Sequence, residues 1–334
     1  MNFKEVLHNT LSVQSHTGQT QMMNTYIKRF ANKIPGVDIQ TDNGNIYISK
    51  GEAEVYPCLV SHTDTVHSLE DKFAVLKQDG VYFGWNGQEQ CGVGGDDKVG
   101  VAMCLWFLQE LPAIKVAFFR DEESGCTGSR LADINFFDDV SFVVQCDRKG
   151  YGDVVNSIMG VRLFDDDFAE SIQHLLTIYN RNITTGMMTD VWKLRTLGLE
   201  VASMNLSCGY YNPHSSKEIV HEGHVILTRD FIHDMIEECG HKRWIVSTPT
   251  KSPYSLQEYS RNYSIPTSRA VIEIPDDEDD DDPEFSADET CTECGVRGAL
   301  IWDTVEQEAF CMACQQYLPE TDVIPEFEDA YSTY

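Results

Sequence analysis

Four short apolar or β-branched runs, residues 56–60, 115–119, 141–144 and 201–206, constrain the fold most strongly. Each is too short for a helix and too apolar for a strand with one wet face, so each suits a strand buried on both sides. Helical periods lie between and around them. Met23, Tyr26, Ile27, Phe30, Ala31 and Ile34 fall at i, i+3, i+4, i+7, i+8 and i+11, one face of an amphipathic helix. Val99, Ala102, Met103 and Trp106 repeat the pattern after a glycine-rich turn, residues 166–179 read as another helix, and Ile232, Met235, Ile236 and Cys239 mark a last one. Strands alternating with helices predict an α/β fold, a three-layer sandwich around a mostly parallel central sheet. With 42% apolar residues in 334, the chain has material for one large core plus an appendage.

The charge is divided unevenly. Of the net charge of -29, residues 276–334 carry -18, with 19 acidic side chains against Arg297 alone. Residues 276–284 read DDEDDDDPE, a like-charge run that repels itself and is expected to be an extended, solvated linker. The organisation read from this is a core over residues 1–275, an acidic linker over 276–287, a small cysteine-bearing module over 288–318 and an acidic tail over 319–334. Such a balance disfavours nucleic acid and anionic membrane surfaces and favours a cation or a basic partner. No apolar run approaches the roughly 18 residues of a membrane span, and the opening MNFKEVLHNT lacks the layout of a signal peptide. The expected location is cytoplasmic. Cys58, Cys91, Cys104, Cys126, Cys146, Cys208 and Cys239 show no disulfide spacing and read as reduced thiols filling the core.

The residues just beyond each buried run carry the chemistry. Val60 leads into Ser61-His62-Thr63-Asp64, Phe119 into Arg120-Asp121-Glu122-Glu123, Val144 into Gln145-Cys146-Asp147, and Leu206 on to Asn212-Pro213-His214. In open α/β sheets the carboxyl ends of the strands line the ligand crevice, so these segments are expected to converge. A fifth segment, ending in Asp96-Asp97, precedes the Val99 helix and sets its carboxylates near a positive helix end. Singly, a histidine after a strand or an Asp-Asp pair before a helix is an ordinary structural feature. Together, imidazoles and several carboxylates are what two divalent cations require, with one carboxylate to bridge them. In the His-x-Asp spacing, Asp64 is placed to orient the ring of His62. Adjacent glutamates point differently, so one can bind metal while its neighbour serves as general base.

The set SHTDTV, GVGGDDKVGVA, FFRDEESGCTGS, VVQCDRKG and NPHSSKE resembles, motif by motif and in order, the superfamily of co-catalytic zinc exopeptidases that includes leucyl-type aminopeptidases and tripeptidase T. The resemblance covers roughly residues 5–240. It implies that His62 and Asp147 hold one zinc ion, that Glu123 and His214 hold the other, that Asp96 bridges both and precedes Asp97 through a cis peptide, and that Glu122 is the general base. His221 and His224 are rivals for the last ligand; His214, in a loop straight after a strand, is preferred. Only 67 positions separate Asp147 from His214, and 34 separate His62 from Asp96, which leaves no room for the lid or extra domain of some relatives. Thr189-Asp190 partly resembles a T-D-A pattern of the lidless aminopeptidases, and Asp190 is given no role.

Beyond the acidic run, Cys291-Thr292-Glu293-Cys294 and Cys311-Met312-Ala313-Cys314 have the spacing of a structural zinc ribbon, in which four thiolates close a tetrahedral site. Its single Arg297 against Glu293, Asp303, Glu306 and Glu308 points to a protein partner for the ribbon or the acidic tail. The whole reads as a metal-dependent exopeptidase, an aminopeptidase on short peptides, with two zinc ions in the core and one in the ribbon. An N-acyl amino acid deacylase acting on another small amide is the second reading. A non-catalytic binding module acting through the ribbon and tail is the third, and the intact ligand set argues against it.

Overall fold

The computed structural model describes residues 1–247 and two short strands further on, and its contacts divide the chain into two compact units, Met1–Glu284 and Phe285–Tyr334. Helix α1 (Phe3–Leu11) starts with a capping box, in which Asn2 Oδ1 accepts from the Glu5 N–H at 3.0 Å and Glu5 Oε2 accepts from the Asn2 N–H at 2.9 Å. The apolar periodicity around Met23 becomes α2 (Gln21–Ala31), which buries Met23, Ile27, Phe30 and Ala31. Then come β1 (Val37–Asp42) and β2 (Asn45–Lys50), joined by Asn43-Gly44 with both φ positive, the backbone a two-residue hairpin turn demands.

The chain continues through β3 (Tyr56–His62), β4 (Ala74–Gln78), β5 (Val81–Trp85), β6 (Gln90–Cys91), α3 (Gly95–Glu110), β7 (Ile114–Phe119) and β8 (Val140–Arg148). After these come β9 (Tyr151–Ile158), β10 (Val161–Arg162), α4 (Asp166–Ile178), β11 (Asn182–Gly186), α5 (Asp190–Leu197), β12 (Ser203–Cys208), β13 (Tyr210–Tyr211), β14 (Ile219–His221) and α6 (Glu222–Cys239). In the second unit, β15 (Leu300–Asp303) and β16 (Glu308–Cys311) form an antiparallel pair. Cys291, Cys294 and Cys314 lie outside the described residues, and of Cys311 only the backbone, at the end of β16, is described.

Nine strands form the central sheet in the order β1-β2-β7-β3-β8-β12-β9-β10, with β11 on β9. Its middle, β7-β3-β8-β12, is parallel throughout, as the four apolar runs predict. Helix α3 packs on β7, β3 and β8, and α5 packs on β3, β8 and β12. Both faces are covered, because β3, β8 and β12 are buried almost end to end. The fold is therefore the α/β sandwich expected. From β3 the chain crosses through α3 to β7 on one side; from β8 it passes to β12 on the other. The strand order thus reverses between β3 and β8, which opens a crevice at their carboxyl ends.

Two details differ from the sequence reading. Strands β3 and β8 run past the apolar runs to His62 and Arg148, so Asp147 stands within a strand; neighbours on both sides of β8 hold polar residues in the ladder. A second, antiparallel sheet, β13-β14-β5-β4 with β6 on β5, was not foreseen, because its strands are short and half-exposed and lack an apolar run. The seven core-region cysteines are all free and buried, as expected.

At the start of α6, Glu222 ties α1 to the small sheet. Its carboxylate pairs with Lys4 at 2.7 Å, also pairs with Lys77, and accepts from Tyr82 Oη at 2.6 Å. Burial pushes this carboxyl up, but Lys4, Lys77 and Tyr82 outweigh it and hold the pKa at about 2 against an ordinary 4.5. A depressed folded-state pKa means stability that is present above pH 4.5 and lost as pH falls toward 2. Glu222→Gln is expected to lower the urea midpoint at pH 7, with a gap to the parent that narrows steadily below pH 4.5. A gap independent of pH contradicts this.

Candidate metal centre

Five side chains from different parts of the sequence meet at the reversal of strand order. His62 is the last residue of β3, Asp147 lies near the end of β8, and Glu123 comes after β7. Asp96 opens α3, and His214 lies in the loop between β13 and β14. His62 Nε2 is 3.2 Å from Asp96 Oδ1 and 3.6 Å from Asp147 Oδ1. On the other side, His214 Nε2 is 3.5 Å from Asp96 Oδ2 and 3.2 Å from Glu123 Oε1. The two oxygens of Asp96 thus face two different imidazoles, each accompanied by its own carboxylate. Donor atoms of His62, Asp96 and Glu123 all lie within 4.8 Å of one another.

The Asp96-Asp97 peptide is cis, and both residues are non-helical although α3 begins at Gly95. The pair divides its work. Asp97 does the structural part: its carboxylate accepts from Ser61 Oγ at 2.6 Å, from the His62 N–H at 3.2 Å and from the Gly100 N–H at 3.1 Å. That cap-like contact leaves Asp96 to face the imidazoles.

His62 Nδ1 lies 3.0 Å from the backbone carbonyl of Asp64 and 3.4 Å from its carboxylate, so Asp64 meets the ring chiefly through its main chain. Its carboxylate accepts from Thr17 Oγ1 at 2.9 Å and from the Glu122 N–H at 3.0 Å, which fastens the loop carrying the two glutamates. The adjacent side chains of that loop diverge. Glu123 faces His214, whereas Glu122 Oε1 accepts from Cys126 Sγ at 3.3 Å. His221 and His224 stand elsewhere: they stack with ring centroids 4.1 Å apart at the start of α6, and His224 Nδ1 contacts Tyr211 Oη at 2.5 Å.

Several groups around the cluster were given no role from the sequence. Thr189 Oγ1 lies 2.8 Å from Asp147 Oδ2, and Gln145 Nε2 lies 3.1 Å from the same oxygen and 3.2 Å from Asp190 Oδ2. Asn205 pairs with the backbone of Asp147 on both its N–H and its carbonyl. Such contacts depend on which strands are neighbours, and only the Thr189-Asp190 pattern hinted at them.

The electrostatics are those of a site short of positive charge. Burial raises the Glu122 carboxyl well above its ordinary range, and Asp147, Asp190 and Glu123 add to this against His62. Burial likewise raises Glu123, lifts Asp147 to about 7 with Asp96 reinforcing it, and lifts Asp190 to about 6. Burial disfavours charge on His62 and His214 too, but the carboxylates around them prevail and raise both. Packed carboxylates that resist ionisation are the setting that bound divalent cations relieve.

No protein-family model matches the chain, and no curated protein matches its sequence. Its fold does match solved structures. Aminopeptidase PepT from Bacillus cereus superposes with a TM-score of 0.60 at 14% identity, over 72% of this chain and 99% of that one. A tripeptidase from Staphylococcus aureus gives 0.58 at 15%, over 72% and 98%. The TET1 peptidase of Pyrococcus horikoshii, which can assemble into a tetrahedron or a large octahedral shell, gives 0.52 at 14%, over 70% and 99%. The chain has the fold of these peptidases. Among the described residues no helix is long and apolar enough to cross a membrane.

Proposed function

We propose that the chain is a zinc-dependent aminopeptidase that hydrolyses short peptides at this cluster. The observation that carries the reading is the pair of donor groups sharing Asp96. Two ligands of one tetrahedral zinc ion stand about 3.3–3.6 Å apart, as bond lengths near 2.0–2.2 Å require, and the separations at His62 and at His214 run from 3.2 to 3.6 Å. The donor set therefore fits two ions: His62 and Asp147 for one, His214 and Glu123 for the other, with Asp96 bridging. When bound, zinc supplies Lewis acidity to the scissile carbonyl and to the attacking water.

The chain's own residues do the rest. Glu122, whose Oε1 accepts from Cys126 Sγ and whose pKa burial raises, accepts the proton of the attacking water and returns it to the leaving amine. Asp64 holds the Glu122 backbone at 3.0 Å and supports the ring of His62. In the second unit, Cys291, Cys294, Cys311 and Cys314 are read as a structural zinc ribbon; the antiparallel pairing of β15 with β16, which ends at Cys311, supports this. A protein partner for the ribbon or the acidic tail belongs to the same reading. Free buried thiols support a reducing, cytoplasmic location.

The test is release of amino acids from a panel of di- and tripeptides with free amino termini, each beside its N-acylated counterpart. Cleavage confined to free amino termini is expected. Preference for the acylated members makes the chain a deacylase, and silence of both sets in zinc-loaded protein leaves only a binding role.

A further inference from the structure

The turn that carries Asp96 is held by the last residue of NPHSSKE, to which the sequence assigned no role. Glu218 is fully buried at the end of the His214 loop, where its own N–H bonds to the Ser215 carbonyl at 3.2 Å. Its side chain reaches across to the segment before α3. Oε2 accepts from the Gly94 N–H at 2.6 Å and lies 2.6 Å from His67 Nε2, while Oε1 accepts from the Asp96 N–H at 3.1 Å. Gly94 has a φ of 72°, in the left-handed region, and a side chain on Gly95 would strike Tyr210 and Val220. Tyr210, Val220 and the Glu218 carboxylate thus close together on the turn at Gly95.

A charged carboxylate is costly to bury, and one that spends both oxygens on backbone N–H groups flanking Asp96 fixes where the Asp96 side chain starts. We propose that Glu218 is the positioning residue of the metal centre, clamping residues 94–96 to the loop that carries His214 so that Asp96 faces both imidazoles at once. This rests on the reading of Asp96 as the bridge between two ions. Glu218 accordingly governs both core ions together, whereas Thr189 and Gln145, which contact Asp147, act on one side.

Glu218→Gln tests the clamp. Whichever way its amide turns, the NH2 group meets a backbone N–H, of Gly94 or of Asp96. The probe is Co2+, added to the full-length, chelator-stripped chain; its visible d–d bands without thiolate charge transfer report ions on imidazole and carboxylate, apart from the ribbon. Groups supporting metal ligands are worth about 10- to 100-fold in affinity, and a loss of that size is expected for both core ions. Glu222→Gln serves as the control for a merely structural role and is expected to lower stability while keeping the parent's Co2+ affinity. If Glu218→Gln does not fold, Glu218→Asp, too short to span both N–H groups, is expected to show the loss. Parent-like affinity for both ions in either folded variant overturns the clamp. A folded parent that binds no Co2+ outside the ribbon overturns the metal-centre reading instead.

Discussion

Glu122→Gln is expected to keep both core metals and to lower peptide turnover by about 100- to 10,000-fold, the usual contribution of a proton-transfer group. The substitution preserves size and shape and removes only the basic oxygen. Glu123→Gln, one residue away, is expected to behave differently. Its Oε1 stands 3.2 Å from His214 Nε2 and within reach of the atoms of His62 and Asp96, so weakening it loosens an ion first. Its activity is therefore expected to fall through lost metal and to recover in part with excess zinc. The divergence of the two side chains, one toward Cys126 and one toward His214, makes the division of labour possible. Metal content and turnover measured on both variants check it. Loss of metal from Glu122→Gln, with a fully loaded but inactive Glu123→Gln, exchanges the roles; full activity in both sinks the peptidase reading.

How far the sequence foretold the structure depends on the kind of feature. The parallel centre of the sheet was legible because strands buried on both faces must be continuously apolar, as Leu59-Val60 and Val143-Val144 are. The convergence of His62, Asp96, Glu123, Asp147 and His214 was legible because all five succeed or end such runs, or open the helix after one, and the order of strands then brings them together. Glu218 and His67 were not. They lie 151 positions apart and meet only because the His214 loop folds back over residues 92–96, a contact no local pattern encodes. The splitting of Asp96 from Asp97 was legible only through the family resemblance, since either carboxylate suits the start of a helix; in the structure Ser61 and Gly100, closing on Asp97, tell them apart. The contact of Asp64 with His62 through its main chain was hidden for a similar reason: spacing gives proximity but not which oxygen is presented.

Removal of metal is the second change expected to have a large effect. Without cations, burial and the neighbouring carboxylates raise the pKa of Glu122 and of Glu123 and lift that of Asp147 to about 7. The Lewis acidity that the ions supply to the carbonyl and the water is then gone. Transition-state charge stabilisation by metal amounts to several kcal/mol, and each roughly 1.4 kcal/mol is tenfold, so turnover is expected to fall by about 1,000-fold or more. The fold should survive, because the sheet, α3 and the Asp97 contacts are independent of the ions. The most direct measurement is a zinc titration of the chelator-stripped, full-length chain, tracking in one sample the far-ultraviolet circular dichroism, the zinc bound and the amino acid released from a tripeptide with a free amino terminus. The account predicts that the contribution of the core to the spectrum is unchanged throughout, any change being confined to the small four-cysteine module, and that turnover returns only as zinc fills the core. Full turnover by the metal-free chain, or none with the core fully loaded, contradicts it.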